Sequence, residues 1–131
     1  MRSAFANHSR TLVVDASAAQ GGQLSDQLSH AGFKAEFAVS WHGARASLRA
    51  NHYHSCIVVA DLNQAEDLKQ LSELRGVAMS VWLLVLCDLQ AEGTLLLARR
   101  QGVDAVLSAP FSMHDLTSRL AAFSLRSRPI F

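Results

Sequence analysis

Short apolar runs at regular intervals, each followed by an amphipathic stretch, restrict this chain to few folds. Cys56-Ile57-Val58-Val59-Ala60 contains no strongly polar side chain, and 81–86 is equally apolar. A strand with water on one face alternates apolar and polar residues. A strand that is apolar throughout has both faces covered, as in a parallel sheet with helices on either side. Thr11-Leu12-Val13-Val14 and Ala105-Val106-Leu107 read the same way, while 33–39 is a weaker strand alternating Phe33, Ala35, Phe37 and Val39 against Lys34 and Glu36.

Helical signals fill the intervals. Ser17 is the expected cap of a first helix bearing Leu24 and Leu28 and closed by Gly32, with Gly21 and Gly22 weakening its start. Ser40 precedes Ala44 and Leu48. A short helix carrying Leu68, Leu71 and Leu74 is expected to end at Gly76, and Leu95, Leu96 and Ala98 mark another that stops at Gly102. Ser112 and Asp115 form a capping box ahead of Leu116, Leu120 and Phe123. Five strand–helix units predict an α/β fold, a flavodoxin-like (βα)5 doubly wound parallel five-stranded sheet in the order 2-1-3-4-5. The expected boundaries are a flexible N-terminal segment at 1–10, one domain at 11–125 and a C-terminal tail or linker at 126–131.

The chain has 131 residues, half of them hydrophobic and 18% charged, so one globular domain with a real core is expected. A net charge of +1 gives no electrostatic case for nucleic acid. The longest apolar run is too short to span a bilayer and the N-terminus lacks an apolar signal-peptide core, so the expected location is cytoplasmic, with no membrane partner. Cys56 and Cys87 fall at opposite ends of neighbouring strands, too far apart for a disulfide, and are expected to be free thiols.

In such a fold the carboxyl ends of strands 1, 3, 4 and 5 meet at a crevice. There the chain places Asp15, Asp61, Cys87-Asp88 and Ala109. Two carboxylates in one crevice repel each other unless a divalent cation such as Mg²⁺ joins them. Such a site supports phosphoryl transfer to a carboxylate. Aspartate after a strand is equally a turn and cap residue, and the residues alone leave both roles open.

The ordered set resembles the receiver domains of bacterial two-component response regulators (CheY-like) over 11–125. Leu12-Val13-Val14-Asp15 looks like the family's first strand, Ile57-Val58-Val59-Ala60-Asp61-Leu62 like its third, and Ala109-Pro110-Phe111 like its Lys-Pro-Phe. The resemblance implies that Asp61 is the phospho-acceptor and that Asp15, Asp61 and the Asn63 carbonyl surround a Mg²⁺ ion. Cys87 and Ala109 stand at the switch positions. It also exposes departures. The second acid of the first strand is Ala16, the usual Thr or Ser is Cys87, and the lysine is Ala109. The Pro-x-x-Gly loop after the acceptor is replaced by Asn63-Gln64-Ala65-Glu66. A slip of one residue in strand 3 would instead put Ala60 at the acceptor position.

Losing a lysine and a metal ligand removes positive charge from a reaction that works by neutralising developing negative charge. The expected protein is therefore an atypical receiver with weakened Mg²⁺ binding. It is not an enzyme beyond slow self-phosphorylation at Asp61, and it acts mainly by binding a protein. The resemblance implies a sensor kinase, phosphotransfer protein or output domain as partner, with a homodimer through helix 4, strand 5 and helix 5 (91–101 and 112–125). The alternatives are a working receiver phosphorylated at Asp61 by a histidine kinase, and a flavodoxin-like ligand-binding domain or enzyme. No Gly-rich phosphate loop follows strand 1 to support the last. His52 and His54 are read as a loop pair, Trp41 and Trp82 as core or sheet-face residues, and Cys87 as a buried, inert thiol.

Overall fold

The structure, a computed structural model, describes residues 10–17, 20–88, 93–126 and 128–129. Its elements alternate as β1 (Arg10–Asp15), α1 (Gly21–His30), β2 (Lys34–Ala38), α2 (Trp41–Ala50), β3 (Ser55–Val59), α3 (Ala65–Val77), β4 (Trp82–Cys87), α4 (Thr94–Arg100), β5 (Ala105–Ser108) and α5 (Met113–Ser124). All strand pairs are parallel, and the sheet order is β2-β1-β3-β4-β5. This is the expected doubly wound arrangement. The first and third strands lie side by side because β2 turns back and the chain then crosses to the other edge.

The two-residue period of a strand divides the buried apolar side chains between two cores. Leu12, Val14, Cys56, Val58, Leu83 and Val85 face α2, α3 and α4, meeting Ala44, Leu48, Leu71, Leu74 and Ala98. Val13, Ile57, Leu84, Leu86 and Ala105 face α1 and α5, meeting Leu24, Leu28, Leu116, Leu120 and Phe123. Each fully buried Leu, Ile or Val contributes about 1.5–3 kcal/mol of burial free energy. The apolar strands are therefore what holds the sheet centrally placed between two helical layers.

Two local expectations are corrected. Ser17 does not cap α1, which begins at Gly21 after Gln20. The Ser17 hydroxyl instead donates to Asp15 Oδ1 at 2.7 Å. The helix after β3 is not short; at 13 residues it is the longest of the described helices, and it runs through Gly76 to Val77. Arg75, in its last turn, continues past the glycine by donating to the carbonyls of Ala78 and Val81 at 3.0 and 2.7 Å. Beyond the last helix, Arg126 and Arg128 both contact the folded domain. Residues 1–9, most of the expected N-terminal segment, lie outside the described residues, and β1 already starts at Arg10.

Gly102 takes a φ of 92°, a region open to glycine. A β-carbon there would sit 2.6 Å from Arg75 Cγ. Among the described residues no helix is long and apolar enough to cross a membrane. Cys56 and Cys87 are free and buried. Burial pushes the Cys56 thiol up to about 12.

Candidate functional site

The carboxyl ends of β1, β3, β4 and β5 open into a cleft of about 680 Å³ lined by Asp15, Ser17, Trp41, Asp61, Asn63, Asp67, Cys87, Asp88, Ala109 and Phe111, among others. The five residues singled out in the sequence thus come together. The register explains how. Asp15 pairs with Val59, so Asp61 emerges two residues further on, and Cys87 pairs with Ser108 next to Ala109. The Ala109 amide donates to the Cys87 carbonyl at 2.8 Å. Ala60 is buried in the core on the α2–α3–α4 side, whereas Asp61 is exposed in the cleft.

Asp15 is 1% exposed and its carboxylate is fully engaged by its own loop. Oδ1 accepts from the Ser17 amide at 3.1 Å and from the Ser17 hydroxyl at 2.7 Å. Oδ2 accepts from the amides of Gln20 at 2.9 Å and Gly21 at 3.1 Å. Burial works to raise its pKa, but the four hydrogen bonds outweigh it and hold the carboxyl below its ordinary value. The side chain that strand spacing marks as a possible metal ligand is thus the clasp that starts α1.

Asp61 Oδ1 accepts the Asn63 amide at 2.9 Å, closing a tight turn after β3. The Asp61 amide in turn donates to Asp67 Oδ2 at 2.8 Å, in the first turn of α3. Asp67 was missed in the sequence. Its signal was an acid in the first turn of a helix, six residues beyond a strand-end aspartate, a spacing set by the loop and invisible to a strand-by-strand reading. Trp41, expected in the core or on a sheet face, packs against the core and also reaches the cleft wall. Trp82 is buried as expected.

At the end of β4, the Cys87 thiol lies 3.9 Å from the Leu107 carbonyl. Burial first, then the charges of Asp88 and Asp61, raise its pKa. A protonated, poorly donating thiol is what the cleft holds there. The Ala109–Pro110 peptide bond is cis. Outside the cleft, the His54 ring bonds to the Phe123 carbonyl through Nε2, so His52 and His54 do not act as a ligand pair.

Charge decides what the cleft can do. Four carboxylates line it (Asp15, Asp61, Asp67, Asp88), and among the described residues no lysine, arginine or histidine does. Asp15 spends both carboxylate oxygens on loop hydrogen bonds, Ala16 offers no side-chain ligand, and no three described His, Cys, Asp or Glu side chains are grouped to hold a metal. A phosphoryl donor entering here meets negative charge that the lining side chains leave uncompensated.

No protein-family model and no curated protein matches the chain significantly. Solved structures do. A protein described as pilus assembly-related, from Burkholderia pseudomallei, superposes with a TM-score of 0.79 at 18% identity, covering 100% of both chains. The receiver domain of a Francisella response regulator gives 0.79 at 19% identity, covering 90% of this chain and 98% of the other. A B. pseudomallei response regulator solved with a phosphorylated aspartic acid, a calcium ion and citrate gives 0.72 at 21% identity, over 89% and 69%. These likenesses establish the fold.

Proposed function

We propose that this chain, whose fold is that of response-regulator receiver domains, is a pseudo-receiver: a signalling module that works by binding a protein partner, with phosphorylation at Asp61 slow or absent. One observation carries the reading, the cleft lined by four carboxylates and, among the described residues, no basic side chain. In-line attack of a carboxylate on phosphorus needs positive charge on the equatorial oxygens and the leaving group. Ala109 supplies none, and the engaged Asp15 together with Ala16 leaves Mg²⁺ binding weak. Removal of a single electrostatic stabiliser from such a site costs about 2.7–4 kcal/mol in barrier.

Signalling then rests on surfaces. Leu95, Leu96 and Leu97 of α4 are exposed, between 38% and 55%, and this favours the α4–β5–α5 side for the partner or for a second copy of the chain. The partner in this reading is a sensor kinase, a phosphotransfer protein or an output domain, in the cytoplasm. The end-to-end likeness to a pilus assembly-related protein makes such assembly machinery the first setting in which to seek it. In the same reading, 11–125 is the receiver-like unit.

A second reading is a live receiver, and the exposure of Asp61 in the cleft favours it. Intact-mass spectrometry after incubation with Mg²⁺ and acetyl phosphate separates the two. The pseudo-receiver shows at most slow formation of a phosphoryl adduct on the wild type, and none on Asp61→Ala. Rapid labelling of the wild type alone establishes the live receiver.

A further inference from the structure

At the end of the sheet remote from the cleft, where β4 and β5 begin, the chain beyond α5 is fastened down. Trp82, the first residue of β4, stacks on Phe123 of α5 with ring centroids 4.7 Å apart and planes 3° from parallel. The Arg126 guanidinium lies 5.2 Å from the centroid of the Trp82 ring, and the indole N–H donates to the Arg126 carbonyl at 3.1 Å. Arg128 Nε donates to both oxygens of Asp104 at 3.0 and 2.9 Å, and a terminal nitrogen donates to the Met79 carbonyl at 2.9 Å.

Asp104 already has a partner. Arg75, its side chain 10% exposed, donates to Asp104 Oδ2 at 2.8 Å and to the carbonyls of Gly102, Ala78 and Val81. Two guanidinium groups therefore share one carboxylate. Burial lowers the Arg75 pKa most, Asp104 opposes that, and Arg128 adds to the lowering by like-charge repulsion. Withdrawing Arg128 leaves a balanced Arg75–Asp104 pair, with the Leu83 amide still on Asp104 at 2.9 Å. Withdrawing Arg75 would also break its bonds to the carbonyls of Gly102, Ala78 and Val81. Arg128 is the partner that can leave.

We propose that Arg126 and Arg128 form a strap that closes over the β4–β5 end of the sheet and opens as a unit while the core beneath stays folded. Closed, it ties the end of α5 to Trp82 and Asp104. Open, it uncovers the Trp82 ring, the Met79 carbonyl and one edge of Asp104, and α5 is held only by its core residues. The strap is a conformational device acting on α5 from the end opposite the acidic cleft, and it does not depend on phosphorylation.

Trypsin tests it, because the bond after Arg126 is cut only when that arginine leaves Trp82. The full chain is digested under native conditions and followed by intact mass, beside a synthetic peptide of residues 121–131. The wild type should be cut after Arg126 more slowly than the peptide. Arg128→Ala should be cut roughly 5–30-fold faster than wild type, the factor expected for losing one or two kcal/mol of local stability, with an unchanged circular dichroism spectrum. Wild-type cleavage at the peptide's rate, or no acceleration in Arg128→Ala, overturns the strap. Global unfolding of Arg128→Ala overturns it too, because the segment would then be inseparable from the core.

Discussion

Gly21 donates its amide to Asp15 Oδ2 at 3.1 Å across a gap that a β-carbon on Gly21 would close, meeting Asp15 Cβ at 2.8 Å and Phe37 Cε1 at 2.1 Å. The first helix can thus start against the end of β1 only because residue 21 has no side chain. The same contact consumes the carboxylate that strand spacing offers as a metal ligand.

Gly21→Ala should therefore destabilise the domain, although alanine is the better helix former. The overlap has to be relieved by moving Phe37 or the helix start, and overpacking of this kind costs about 1–3 kcal/mol. Gly22→Ala is the control. Its β-carbon would lie 3.7 Å from Phe37, an ordinary contact, and should be neutral or stabilising by about 0.4–1 kcal/mol. Urea denaturation of the two variants checks the contrast, and equal midpoints would refute it.

Asp15 predicts a pH dependence. Its folded pKa is lowered, so its contribution is fully present above the unfolded value of about 3.9 and disappears as pH falls through the depressed folded value. Asp15→Asn keeps the size but puts an NH2 donor against backbone amides, and should cost about 1–3 kcal/mol at neutral pH. Its stability curve should also be flatter than wild type on the acid side. Thermal unfolding at a series of pH values reads both, and parallel curves would show that Asp15 is not the titrating clasp.

Ala109 gives the sharpest chemical prediction. Ala109→Lys restores a cation beside a cleft that lacks one, and should speed acetyl phosphate labelling of Asp61 by at least about tenfold, since one such stabiliser is worth about 10²–10³ in rate elsewhere. Adding Ala16→Asp should bring Mg²⁺ dependence with it. Unchanged labelling in both variants would mean that something other than missing charge silences the cleft.

Much of the fold was legible because strands buried on both faces must be apolar throughout. The runs ending at Asp15, Asp61 and Cys87 needed only counting, and parallel topology then placed their ends together. Boundaries were less legible. Gly76 reads locally as a stop, yet α3 passes through it because Arg75 finds carbonyls beyond the turn. Ser17 reads as a cap, yet its hydroxyl goes to Asp15. In both cases a long-range or side-chain acceptor outcompeted the local preference.

The sequence by itself determined the class of fold, the strand order and the five strand-end residues at the cleft, because hydrophobic period and chain connectivity are local properties read along one dimension. Only the tertiary structure decided what those residues are doing. Whether Asp15 faces a metal or clasps a helix depends on which amides reach it, and these belong to Ser17, Gln20 and Gly21 in a loop whose path the sequence does not spell out. Whether Arg126 and Arg128 trail or strap depends on Asp104 and Trp82, which lie more than twenty residues away in the chain and come within hydrogen-bond reach only when the sheet has formed. Charge and hydrogen-bond complementarity act through space, so the chemistry of this domain is settled by proximity that the order of residues does not carry.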